Sequence, residues 1–299
     1  MHTGLLNSLL ELAHATSENL AFAHREDVNV SYGEETITES NLLELRRRHP
    51  AIITLHTFGK KKEAKTGADW EWHIIGRARS FGMRVQAKRL QQDNVLKIPH
   101  MVKSTKAEQI NLLIDDAKTQ GLMPVYCFYA TEAQRAKWKA SSAAGGLSPF
   151  EFGCLLASAH KVKAKMPKTL SVIESDCVPW HYLVDRRRFR RLSGSGAIGI
   201  SRALGFLAAE GLIELPVPEV TADGNGDIGF PTIDELNDPR VTLKGREGIV
   251  ARDGGSAGPV PSADHYRERG ISKLVEIDVR EFPLPHDPLG AQSETRRQT

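Results

Sequence analysis

Two short phrases in this sequence hold the residue types that phosphodiester hydrolysis needs. In Gly67-Ala68-Asp69-Trp70-Glu71, acids alternate with tryptophan, and Gln86-Ala87-Lys88 begins 17 residues after Asp69. Side chains alternate along a strand, so Asp69 and Glu71 share one face of one strand, and Gln86 and Lys88 share one face of another. If the two strands pair as a hairpin, a carboxylate, an amide oxygen and an ammonium converge. Carboxylate and carbonyl oxygens suit a hard cation such as Mg²⁺. A cation held there polarises a phosphate and acidifies a bound water. A lysine beside it orients that water or meets charge developing on the phosphorus oxygens.

The elements that must position these residues are legible from apolar spacing. Leu5, Leu6, Leu9, Leu10 and Ala13 predict a helix from residue 4 to about 24. Glu34 and Glu35 open a second helix that carries Leu42, Leu43 and Leu45, ends in Arg46-Arg47-Arg48 and stops before Pro50. Its acids and arginines complement the helix dipole. Ile52 to Phe58, Ala68 to Ile75 and Met83 to Leu90 read as three strands. Ile110, Leu113, Ile114 and Ala117 predict a helix capped by Gly121. Met123 to Tyr129 is a continuous apolar run, expected as a strand buried on both faces and joined in parallel through the helical crossover. Further on, Phe152, Leu155, Leu156 and Ala159 suggest a helix, and Ala203, Leu204, Leu207 and Ala208 another. Residues 216–262 read as a loop or linker rich in Gly, Pro and Asp. Val275, Ile277 and Val279 alternate with Glu276, Asp278 and Arg280 as in a half-buried strand. The tail from Pro283 is expected to be disordered.

The order helix, three strands, helix, strand, with Asp69 on the second strand and Gln86-Ala87-Lys88 on the third, resembles the restriction endonuclease-like PD-(D/E)xK superfamily, in its QxK, Mrr-like branch. The resemblance covers roughly residues 34–130. The whole chain is also similar to an uncharacterised bacterial protein family sharing Gly33-Glu34-Glu35, Gly67 to Trp72 and Val85 to Leu90. The superfamily resemblance implies Asp69 as central metal ligand, Lys88 as catalytic lysine and Gln86 in the ligand position more often held by glutamate. The Ala87 carbonyl would complete the coordination of Mg²⁺ or Mn²⁺. Two departures stand out: Ala68 replaces the proline that often precedes the aspartate, and neutral Gln86 removes a negative charge from the metal shell. A third acid is therefore required, with Glu34 or Glu35 first and Glu71 second.

Other features bear on a polyanionic partner. Lys60, Lys61, Lys62 and Lys65 form a basic turn just before Asp69 that either holds a phosphate backbone or is simply a solvated turn. Arg186, Arg187 and Arg188 lead the densest basic cluster, with Phe189 interleaved, a composition suited to nucleic acid, although a solvated surface run is the simpler reading. Gln109 could touch a phosphate. Trp70 and Trp72 are expected in the core, and His73 as a hydrogen-bonded strand histidine. Gly194 to Gly199 follows a basic run rather than a strand, so it reads as a helix entry rather than a dinucleotide fingerprint. Ile228 occupies the position where a calcium loop beginning at Asp223 needs glycine. Cys154, His160, Cys177 and His181 fit no compact zinc knuckle and read as buried thiols and surface histidines.

A net charge of +3 permits a polyanionic partner without requiring one, and three cysteines make no disulfide framework. No signal peptide or stretch of ~20 apolar residues is evident, which points to the cytoplasm and away from membranes. The expectation is an α/β protein: an N-terminal helix (1–30), a nuclease-like core (31–130), a mainly helical extension (131–215) and a loop-rich region with a terminal strand (216–282). Its expected activity is metal-dependent hydrolysis of phosphodiesters, in double-stranded DNA rather than RNA, as in restriction or defence. A homodimer is a candidate assembly, because double-strand cutting often needs two sites. The alternatives are a non-catalytic nucleic-acid-binding module on the same fold, and an interaction protein in which Asp69, Gln86 and Lys88 form a structural polar network.

Overall fold

Hydrophobic spacing yields the first helix, α1 (His2–Ala23), and hydrophobic spacing with complementary end charges the second, α2 (Glu34–Arg48). The computed structural model describes residues 2–28, 30–58, 66–102, 107–131, 152–184, 230–231, 233–237, 246–251 and 272–282. After α2 come the strands β1 (Ile53–Thr57), β2 (Trp70–Ile75) and β3 (Arg79–Arg89). A small ribbon of β4 (Met101–Val102) and β5 (Ala107–Glu108) leads into helix α3 (Gln109–Thr119). Gly121, at φ +66°, ends α3, where Leu122 N–H returns to the Ala117 carbonyl. Then follow β6 (Met123–Tyr129), β7 (Cys154–Ser158), β8 (Val178–Pro179), β9 (Ile249–Ala251) and β10 (Lys273–Asp278).

The molecule is mixed α/β, built on a mostly antiparallel eight-stranded sheet in the order β1-β10-β2-β3-β6-β7-β8, with β9 beside the first residues of β3. β10 to β2 and β3 to β6 are the parallel pairs. One face of the sheet carries Trp70, Trp72, Val85, Val125 and Val275 against Leu5, Leu9 and Leu12 of α1 and Ile37, Leu42 and Leu45 of α2. The other carries Tyr126, Phe128, Leu155 and Ala157 against Ile110, Leu113 and Ile114 of α3. Each large apolar side chain so buried contributes roughly 1.5–3 kcal/mol. Helices therefore cover both faces, and β6 is buried along its whole length as its apolar run requires.

Two expectations are corrected. Cys154 to Ser158, expected as part of a helix, is strand β7 paired with β6, and the helix begins only at Ala159 (Ala159–Lys165). A continuous apolar run does not distinguish a doubly buried strand from a buried helix by periodicity. Part of the expected linker 216–262 is ordered: Ile233–Asn237 is helical, and β9 pairs with β3. The terminal strand β10 enters the middle of the sheet. It lies between β1 and β2, so those two are not neighbours. The expected helix around Ala203 lies outside the described residues, as does the tail from Pro283. Among the described residues no helix is long and apolar enough to cross a membrane.

Candidate active site

Strands β2 and β3 pair antiparallel with Trp70 opposite Val85, which sets Asp69 opposite Gln86. Asp69 N–H to the Val85 carbonyl, 2.9 Å, is the last backbone bond of that ladder. The reason is local: Gly67, at φ +67°, turns the chain toward α3 just before Asp69. The N–H and C=O of Ala87 face the side that β2 has left, and polar side chains take them instead. Asp69 Oδ2 accepts the Ala87 N–H at 2.7 Å, and Gln86 Nε2 donates to both Asp69 Oδ2 (2.6 Å) and the Ala87 carbonyl (2.9 Å). Gln109 Nε2 donates to Gln86 Oε1 at 2.6 Å, while Lys88 Nζ donates to Gln109 Oε1 at 2.9 Å. A single chain of polar contacts thus runs from Asp69 through two amides to Lys88.

These residues open into a cleft of about 220 Å³ whose lining also includes Glu34, Glu35 and Thr38 from the start of α2. Two bonds hold that helix end over the sheet. Thr38 Oγ1 and Tyr129 Oη are 2.8 Å apart, and Arg89 N–H donates to Glu34 Oε1 at 3.2 Å. Gly33, the residue before α2, supplies no side-chain cap. Both helix acids therefore border the cleft, and Glu34 is bonded to the backbone of β3. Burial pushes the Lys88 ammonium below its ordinary value, while the charges of Asp69 and Glu34 pull the other way.

The donors suit a hard cation because all are oxygens: the carboxylates of Asp69 and Glu34, the Ala87 carbonyl and, after rotation of its amide, Gln86 Oε1. The site is short of negative charge at any one point. Three acids border the cleft, yet among the described residues no group of three or more His, Cys, Asp or Glu is gathered closely enough to hold a metal. Gln86 Nε2 now bridges two of the oxygens that a cation would use.

The cleft brings together Asp69, Gln86, Ala87, Lys88, Glu34 and Glu35, with Gln109 behind them. Glu71 does not belong to it. Its side chain is fully buried, bonded to His73 Nε2 and paired with Arg84, whose Nη2 lies 2.8 Å from Asp116 on α3. A glutamate one strand pitch further from the ladder's end lies too deep to reach the cleft, so the second-choice third acid is removed. His73 is the hydrogen-bonded strand histidine expected, and Trp70 and Trp72 are core. Cys154 and Cys177 belong to the cores on opposite faces of the sheet, which excludes the zinc tetrad. His181 is buried rather than superficial. Lys60, Lys61, Lys62 and Lys65 lie outside the described residues, as do Arg186, Arg187 and Arg188. Sequence reasoning missed three contributors: Thr38, Lys273, which also lines the cleft, and Ser272, whose Oγ donates to the Asp69 carbonyl at 2.8 Å. The alternation after Lys273 marks a strand, but nothing local says which strands it joins.

Residues 5–260 match the model of a family of unknown function, DUF6615, and the chain belongs to that family. The matched span includes the cleft residues from Glu34 to Lys88 and ends before β10. Comparison with curated proteins finds no match.

Proposed function

We propose that this chain is a metal-dependent nuclease that hydrolyses phosphodiester bonds in double-stranded DNA, with a site of the QxK, restriction endonuclease-like kind. The observation that carries the reading is the convergence of Asp69, Glu34, Gln86, Ala87 and Lys88 on one cleft. The order α2-β1-β2-β3-α3-β6, with β6 parallel to β3, agrees with such a core once β10 is allowed to enter between β1 and β2. Asp69, Glu34, the Ala87 carbonyl and, after its amide turns, Gln86 Oε1 would hold Mg²⁺ or Mn²⁺, which would supply phosphate polarisation and a water of lowered pKa.

The chain's own groups do the rest. Lys88 Nζ orients the attacking water or meets charge developing on the phosphorus oxygens. For Gln86 to present Oε1, its amide turns, which sets its Nε2 against the Nε2 of Gln109. Gln109 then turns as well, and its own Nε2 faces Lys88, donor against donor. Lys88 leaves Gln109 and becomes available to substrate. Opening the site and freeing its lysine are one motion on this reading.

Plasmid cleavage with Mg²⁺ and with EDTA, for wild type, Asp69→Ala and Lys88→Ala, tests the proposal. Cleavage by wild type in Mg²⁺ alone is expected, with each variant slower by roughly 10²-fold or more, the scale of losing one preorganised electrostatic contact. A second reading, a structural polar network in an interaction protein, is favoured by one observation: Gln86 Nε2 already satisfies Asp69 and Ala87 without a cation. Wild type inert toward DNA in every divalent metal, with Asp69→Ala merely less stable, would select that reading instead.

A further inference from the structure

A second lysine enters the cleft from a strand 185 residues beyond Lys88, and its setting is that of a binding group. Lys88 reaches the cleft from the face covered by α3, where Gln109 holds it. Lys273 reaches it from the face covered by α2, where its Nζ lies 3.3 Å from Glu39 Oε1. The two lysines stand on strands that flank β2, so Asp69 lies between them. Lys273 follows directly on the residue that is tied to Asp69. The preceding residue, Ser272, donates its Oγ to the Asp69 carbonyl, and β10 continues beside β2 in parallel.

The Lys273 side chain is 10% exposed, whereas its partner Glu39 is 50% exposed. A half-exposed ion pair contributes at most about 1 kcal/mol, so Glu39 holds the ammonium only weakly at a cleft that Glu34, Glu35 and Asp69 also line. A polyanion entering this cleft meets those three carboxylates, and a cation at each end offsets them. We infer that Lys273 binds a backbone phosphate of the substrate on the α2 side of Asp69, next to the phosphate that faces Lys88, and so sets how the DNA strand lies across the site. This rests on the nuclease reading above. It adds a binding residue from outside the span shared with the family.

The test is fluorescence anisotropy of a 20-base-pair duplex with Ca²⁺ as the divalent ion, read as affinity against salt for the full chain. Lys273→Gln is expected to weaken binding by about tenfold at low salt and to lower the slope of log K against log salt by about one, the signature of one lost phosphate contact. Lys273→Arg should restore most of both, and Glu39→Gln, which removes only the ion-pair partner, should not weaken binding. An unchanged slope in Lys273→Gln, or Glu39→Gln behaving like Lys273→Gln, overturns the inference even if wild type cuts DNA normally. Wild type that neither binds nor cuts DNA overturns the nuclease reading together with this one. Binding without cleavage, with the expected slopes, upholds the role of Lys273 and discards only the chemistry.

Discussion

At Gln86 a neutral amide stands where a carboxylate would bring a second charge beside Asp69, 2.6 Å away. Gln86→Glu should therefore cut both ways. Without metal, two carboxylates at that distance repel, raising the pKa of one and lowering the melting temperature. With Mn²⁺ the added charge should tighten binding on the order of tenfold, since hard-cation affinity follows ligand charge. Calorimetric titration and melting curves with and without Mn²⁺ check this, and a variant equally stable in both conditions with unchanged affinity would refute it. Lys88 gives a second residue-scale expectation. Burial lowers its pKa and the Asp69 charge opposes that shift, so Asp69→Asn should lower the value further in an NMR titration. The linked sign follows: the folded ammonium releases its proton below the ordinary value of 10.5, so the unfolded chain binds more protons in that interval. Stability on this account rises with pH from the folded value up to the unfolded one.

The elements hold the site through contacts that tolerate little change. A Cβ on Gly67 would lie 2.5 Å from the Gln109 carbonyl oxygen and 2.9 Å from Leu113 N, and φ there is +67°. Gly67→Ala should cost about 1–2 kcal/mol in backbone strain alone and push α3 away, separating Gln109 from Gln86 and Lys88. Urea unfolding should register the strain, and activity should fall more than stability does. Between α3 and the sheet, Arg84 joins Glu71 and Asp116 with the Arg84 and Glu71 side chains fully buried. Arg84→Ala leaves Glu71 charged without that partner and should destabilise the fold by roughly 3–5 kcal/mol. Glu71→Gln, by contrast, should lower stability while metal-dependent cleavage persists, as expected of a residue outside the cleft. Elements formed as their patterns predicted wherever local spacing decides, as in α2, with Glu34 and Glu35 at one end and Arg46 to Arg48 at the other. At β7 the pattern failed, because Cys154 to Ala157 are buried on both faces and carry no alternation.

For the whole molecule the decisive strand is the last one described. Leu274, Val275 and Ile277 of β10 are each at most 1% exposed, and at about 1.5–3 kcal/mol apiece their burial rivals the net stability of a typical domain, ~5–15 kcal/mol. A chain ending at residue 271 should therefore show no cooperative thermal transition by circular dichroism, because β1 and β2 lose the strand between them. A well-folded truncated chain would contradict this placement of β10. What the sequence determined by itself is everything set by neighbours along the chain: the helices around the core, strands β1 to β3 and β6, and the shared face of Gln86 and Lys88. It also singled out Asp69 and named Glu34 or Glu35 as the acid to join it. That both glutamates border the cleft while Glu71 does not, and that Ser272 and Lys273 arrive beside Asp69, were decided only by tertiary structure. Residue alternation tells which face a side chain takes, but strand order and the point where a ladder ends depend on packing between segments 200 residues apart, such as Ser272 against Asp69.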